Sequence, residues 1–134
     1  MAAAKRNTRE IVLKVLSKNE RPMTAYQILE KLRIYGINGP PTVYRALEAL
    51  LMSGRVHRIE SINAFIVCHQ EMKESHLCSF ILCEDCGDVE EFFDNRMDAI
   101  RKDWGKKLGF SITQQTVELL GLCCECKRHA SPIN

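Results

Sequence analysis

No run of apolar residues in this chain of 134 approaches the ~18 that a membrane-spanning helix needs. That excludes a spanning segment and leaves no membrane partner to expect. The first residues, Met1-Ala2-Ala3-Ala4-Lys5-Arg6, lack the apolar core of a secretory leader. Seven cysteines, an odd number, then argue against a secreted disulfide scaffold and for a reducing, cytoplasmic setting. An excess of one charge is also missing overall, the net charge being only +2. What is present is ordinary for a globular protein, with 46% hydrophobic and 27% charged residues. The length holds one medium domain or two small ones. The charge is divided, however. Residues 1–60 carry 11 Lys+Arg against 5 Asp+Glu, net +6, and residues 61–134 carry 8 against 12, net −4. The first half suits a polyanion and the second would be repelled by one.

The cysteines are patterned. Cys83-Glu84-Asp85-Cys86 and Cys123-Cys124-Glu125-Cys126 each place two sulfurs one short turn apart. Together they offer four thiolates, the ligand set of a structural zinc. The 36 residues between the pairs would form one closed loop. Structural zinc contributes roughly 10–16 kcal/mol of apparent binding free energy to folding. The alternative reading of the same spacing is two disulfides.

In the first half the periodicity predicts a helix from Thr8 to about Ser17, capped by Asn7 or Thr8, with Ile11, Val12, Val15 and Leu16 at helical spacing. Arg21-Pro22 breaks the pattern. Thr24 caps a second helix to about Ile34, with Ile28, Leu29 and Leu32 inward. After a loop at residues 35–39, Pro40-Pro41 opens a third helix to Met52. Its buried stripe is Val43, Ala46, Leu47, Leu50 and Leu51. Thr42, Tyr44, Arg45 and Glu48 fall mostly on the other face. Two strands, 55–59 and 64–67, follow Gly54. Three helices and a β-hairpin in that order make a winged helix-turn-helix, whose third helix enters the DNA major groove. Arg45 would then reach guanine, Tyr44 or Thr42 a phosphate or thymine methyl, and Tyr26 a further DNA position.

Beyond a polar linker at 69–76 the pattern predicts a strand at 77–82, a knuckle at Cys83–Gly87 and a paired strand at 88–93. A helix capped by Asp94 then runs to Leu108 and stops at Gly109, with Met97, Ile100 and Trp104 on one face. A long strand covers 110–122, and a brief helix starts at about Lys127. The fold class is α+β: an N-terminal winged helix over 1–68, a hinge at 69–76, and a small α/β dimerisation domain over 77–134 with an edge open to a second chain. Four further metal-capable residues, His57, Cys68, His76 and Glu91, lie near the domain junction. One thiolate, two imidazoles and a carboxylate make a plausible tetrahedral zinc set.

Several separated stretches resemble the ferric uptake regulator family, and within it the zinc-uptake branch. They are Gly39-Pro40-Pro41-Thr42-Val43-Tyr44-Arg45-Ala46-Leu47, Gly54-Arg55-Val56-His57-Arg58-Ile59-Glu60-Ser61 and Phe65-Ile66-Val67-Cys68-His69. Residues 80–91, around the first cysteine pair, and Gly121-Leu122-Cys123-Cys124-Glu125-Cys126 complete the set. The resemblance covers roughly residues 8–127. It implies a homodimeric, metal-dependent repressor with two zinc ions per chain, acting on an inverted-repeat operator of double-stranded DNA at zinc-uptake genes, with no small-molecule substrate. It assigns Cys83, Cys86, Cys123 and Cys126 to the structural zinc. It assigns His57, Cys68, His76 and Glu91 to a regulatory zinc, and Tyr26, Tyr44 and Arg45 to DNA. The thiolate of Cys68 favours zinc, since iron- and manganese-sensing relatives use harder ligands there. An iron- or peroxide-sensing role within the family is the alternative. The chain departs from the family at Asn7-Thr8-Arg9-Glu10, which stands where a Thr-Pro-Gln-Arg type motif is usual. The usual histidine-rich run before the first cysteine pair is reduced to His69 and His76, and Cys78 and Cys124 take no family role.

An enzyme reading also exists. His69-Gln70-Glu71 followed by Cys83–Cys86 imitates the zinc deaminase signature. The expected proline before the first cysteine is Leu82, the interval is short, and the second cysteine pair is left without a role. Four clustered thiolates would also permit a redox sensor that releases zinc on oxidation.

Overall fold

The computed structural model describes residues 7–68 and 77–129. The chain divides into two compact units, Met1–Ser75 and His76–Asn134.

In the first unit α1 (Thr8–Lys18), α2 (Ala25–Leu32) and α3 (Pro40–Met52) precede an antiparallel hairpin of β1 (Val56–Ile59) and β2 (Ala64–Val67). Thr24 starts α2 with a reciprocal cap. Its Oγ1 accepts from the Gln27 amide at 3.2 Å, and its own amide donates to Gln27 Oε1 at 2.9 Å. The helix ends at Leu32, two residues before the expected Ile34, and tightens into a 3₁₀ turn at Arg33–Tyr35. Gly36, at φ +80°, closes that turn in a conformation that favours glycine. Pro40 occupies the first position of α3, where no intrahelical donor is lost.

The inward stripes of the three helices meet in one cluster. It includes Val12, Ile28, Leu32, Val43, Leu47 and Leu50, with Val56 and Phe65 from the hairpin. Leu51, expected in that stripe, is only half-buried, while Leu13 is buried. Each buried side chain of this size contributes roughly 1.5–3 kcal/mol. The segment after the Arg21-Pro22 break is more than a linker. Met23 exchanges two backbone hydrogen bonds with Phe65, at 2.9 and 2.8 Å, and so adds a third short rung to the hairpin.

In the second unit β3 (Leu77–Cys83) is central, with β4 (Val89–Glu91) antiparallel on one side and β5 (Gln115–Gly121) parallel on the other. A parallel return needs a crossover, and α4 (Asn95–Leu108) supplies it. Asp94 caps α4 by accepting from the Arg96 amide at 2.9 Å, and the Arg96 side chain holds its carboxyl down to about 2. Gly109, at φ +73°, ends the helix. Three expectations change. The strand expected at 88–93 is only Val89–Glu91. The strand expected from Phe110 starts at Gln115, because Phe110 turns back to donate to the Gly105 carbonyl at 2.8 Å. The last helix, α5, spans Cys124–His129 and begins inside the second cysteine pair. No helix among the described residues is long and apolar enough to cross a membrane.

Candidate metal centre and nucleic-acid face

The sheet of the second unit explains how two cysteine pairs 36 residues apart meet. β3 and β5 are parallel and in register, with Cys83 opposite Gly121. Both strands therefore run out at the same end of the sheet. The knuckle after β3 folds over this end through Cys83 N–H to Asp88 O at 2.9 Å and Glu84 N–H to Gly121 O at 2.7 Å. Gly87 takes φ +81° to complete it. The four sulfurs of Cys83, Cys86, Cys123 and Cys126 consequently lie within 4.8 Å of one another.

This geometry fits a tetrahedral ion. Four sulfurs at ~2.3 Å from one zinc would stand about 3.8 Å apart, and Cys86 Sγ lies 3.8 Å from Cys123 Sγ. None of the four is in a disulfide. The Cys86 and Cys123 amides donate to Cys83 Sγ at 3.5 and 3.4 Å. These amides hold the Cys83 thiol down to about 6. The neighbouring sulfurs of Cys123 and Cys83 push the Cys126 thiol up. The Asp88 amide favours a Cys86 thiolate, but Cys83 and burial outweigh it and the Cys86 thiol also rises. Bound together as thiolates, four sulfurs at this spacing need a cation among them, and zinc would supply that charge.

The second candidate group is divided between the units. His57 is buried at 5% relative exposure on β1. Cys68 follows β2 and is held by its amide donating to Arg55 O at 3.0 Å. The ligand atoms of these two residues lie within 4.8 Å of each other. Burial lowers the pKa of His57 and so favours the neutral imidazole that binds metal. Glu91 ends β4 in the second unit and is half-buried. His76 lies outside the described residues, as do His69 and the rest of the expected hinge.

The face of α3 opposite its core stripe is open. Thr42, Tyr44, Arg45 and Glu48 are all exposed, Tyr44 at 54%. Tyr26, in the first turn of α2, is exposed at 69%. These tyrosines do not fill the core. Beside α3 lies a groove that the helical periodicity could not reveal, because it depends on how α1 crosses α3. It is lined by Asn7, Thr8 and Arg9 from the start of α1 and by Thr42, Arg45, Ala46 and Ala49 from α3.

A winged helix and an α/β unit with four clustered sulfurs define a class: two-unit proteins of the DNA-binding type with a metal-capable cysteine cluster in the second unit. The family model of the ferric uptake regulators matches residues 5–120, and the chain belongs to that family. A zinc uptake regulation protein of Escherichia coli is 35% identical over 116 residues, which are 86% of this chain and 68% of that protein. One of Mycobacterium tuberculosis is 30% identical over 129 residues, 94% of this chain and 98% of that protein. The solved structure of a zinc uptake regulator complexed with zinc and DNA superposes with a TM-score of 0.85 at 33% identity. The match covers 94% of this chain and 85% of that one.

Proposed function

We propose that the chain is a zinc-responsive transcriptional repressor, a homodimer that binds an inverted-repeat operator of zinc-uptake genes with Zn2+ as co-repressor. Cys83, Cys86, Cys123 and Cys126 hold one ion, which clamps the second unit. His57, Cys68, His76 and Glu91 hold a second, regulatory ion. Those four residues belong to different units, so an ion bound by all of them ties the units together. In the dimer this holds the two winged helices about one helical turn apart, as two half-sites require. Arg45 then reads guanine, Tyr26, Tyr44 and Thr42 contact bases or phosphates, and the exposed side of α3 is left free for them.

One observation carries the choice of zinc: a buried imidazole within 4.8 Å of a soft sulfur, His57 with Cys68. A nitrogen–sulfur pair suits zinc better than the harder ions sensed by other members of the family. The closed set of four sulfurs likewise favours a structural clamp over deaminase chemistry, which leaves one position of its zinc open. The test uses His57→Ala and Cys68→Ala. Both variants should keep one zinc through dialysis, held by the four cysteines, and lose zinc-dependent gel retardation of the operator. Variants that still retard DNA at the wild-type zinc concentration would exclude this site from sensing.

A further inference from the structure

The groove between α1 and α3 contains more positive charge than the fold needs. Arg9 and Arg45 both line it, with the hydroxyl residues Thr8 and Thr42 beside them. Among the described residues neither arginine has an ion-pair partner. The acid nearest to Arg9 in sequence, Glu10, is engaged elsewhere: its carboxylate accepts from Arg55 at 3.1 Å. The rest of the lining is Asn7 and the two alanines, Ala46 and Ala49, which leave an opening of about 520 Å³. Two guanidiniums lining one groove give it a positive potential that favours an anion. Planar N–H donors and hydroxyls around a shallow, small-residue floor match a phosphate diester. The groove also shares Thr42 and Arg45 with the exposed face of α3. A duplex docked on that face therefore brings its backbone to this position.

We propose that Arg9 is a further DNA-contacting residue of this chain: Arg9, with the hydroxyls of Thr8 and Thr42 beside it in the α1–α3 groove, holds one backbone phosphate of the operator next to the base that Arg45 reads, and so sets the height of α3 in the major groove. This rests on the repressor reading. It also gives the unusual Asn7-Thr8-Arg9-Glu10 stretch two roles, with Glu10 anchoring the start of the wing and Arg9 turned to nucleic acid. A phosphate contact fixes register and carries no sequence information.

The test is the salt dependence of binding by the zinc-loaded full chain. The probes are a duplex that the wild type selects from a random pool and a scrambled duplex of the same composition. Each dimer loses two phosphate contacts in Arg9→Ala, so the slope of log affinity against log salt should become shallower by about 1.8. Affinity for the two duplexes should fall by the same factor. Arg9→Lys, which keeps the charge, should recover most of the slope. Lys18→Ala, at the far end of α1, should leave it unchanged. A thermal melt of Arg9→Ala matching the wild type confirms that the fold is intact. An unaltered slope in Arg9→Ala overturns the proposal, as does an equal change in Lys18→Ala, which would reduce Arg9 to bulk charge. Loss of affinity for the selected duplex alone also overturns it, since that marks base reading. A wild type that enriches no duplex in zinc overturns the repressor reading itself.

Discussion

At the residue scale Cys83 on one side and Cys86 and Cys126 on the other are pushed in opposite directions before any metal arrives. Cys83 is largely ionised above about 6, while Cys86 and Cys126 are pushed up and still hold their protons at neutral pH. Zinc binding must displace those protons, so it should release at least about two near pH 7. Apparent affinity then rises with pH, and the rise steepens below about 6, where Cys83 is protonated as well. Calorimetric titration in buffers of different ionisation heat measures this. A binding heat independent of buffer would contradict the four-thiolate site. Arg45→Ala should cost about 1–3 kcal/mol of operator binding and relax the preference for guanine at one position per half-site. Much of this chemistry was legible in the sequence, because CxxC spacing is local and the turn it needs is short. That the two pairs converge on one ion follows from the ligand count, and the register of Cys83 against Gly121 shows how the chain brings them together. Arg9 escaped notice because nothing in its neighbours along the chain places it in one groove with Arg45.

At the element scale α4 depends on a close approach. A Cβ added to Gly105 would meet the Phe110 carbonyl oxygen at 2.9 Å. That carbonyl belongs to the segment that folds back after Gly109, so it can retreat only by moving backbone. Gly105→Ala should therefore destabilise the second unit by about 1–3 kcal/mol despite the better helix propensity of alanine. A chemical-denaturation curve gives the sign, and a stabilised variant would refute the close approach. Thr24→Ala removes one arm of the cap on α2 and should cost about 1 kcal/mol. Helix α2 was readable because Thr24 and Gln27 carry its start in four residues. The long strand expected from Phe110 was misread because apolar residues at Phe110 and Ile112 fit a strand as well as a turn packed on a helix. Only the hydrogen bond from Phe110 back to Gly105 decides between the two.

At the scale of the whole molecule the two units differ in how they are stabilised. The first buries fourteen residues in one cluster. Among the described residues of the second, only Phe80, Leu82 and Cys83 are buried hydrophobics. Ten large apolar side chains among the described residues of that unit are exposed, including Ile81, Trp104, Phe110, Leu119 and Leu120. Ile100 and Trp104, read from the sequence as one helical face, are each 53% exposed. A unit with so small a core needs a metal clamp, a partner chain, or both. The edge of β5 away from β3 and its exposed leucines suit a second copy. Leu119→Asp with Leu120→Asp should shift the protein toward monomer in sedimentation velocity and weaken operator binding, while the winged helix keeps its helical signal. Dimers that persist unchanged would place the interface elsewhere. The division of charge, net +6 over residues 1–60 and net −4 over residues 61–134, suits a polyanion at the first half and disfavours one at the second.

The most direct measurement is operator affinity at buffered free zinc levels, with a chelator strong enough to empty the site proposed at His57, Cys68, His76 and Glu91 but too weak to strip the four cysteines. Affinity should climb steeply with zinc to a plateau, and saturating operator should tighten the releasable zinc by the same factor. Equal DNA affinity with and without the releasable ion, at one zinc retained per chain, would contradict zinc control of DNA binding.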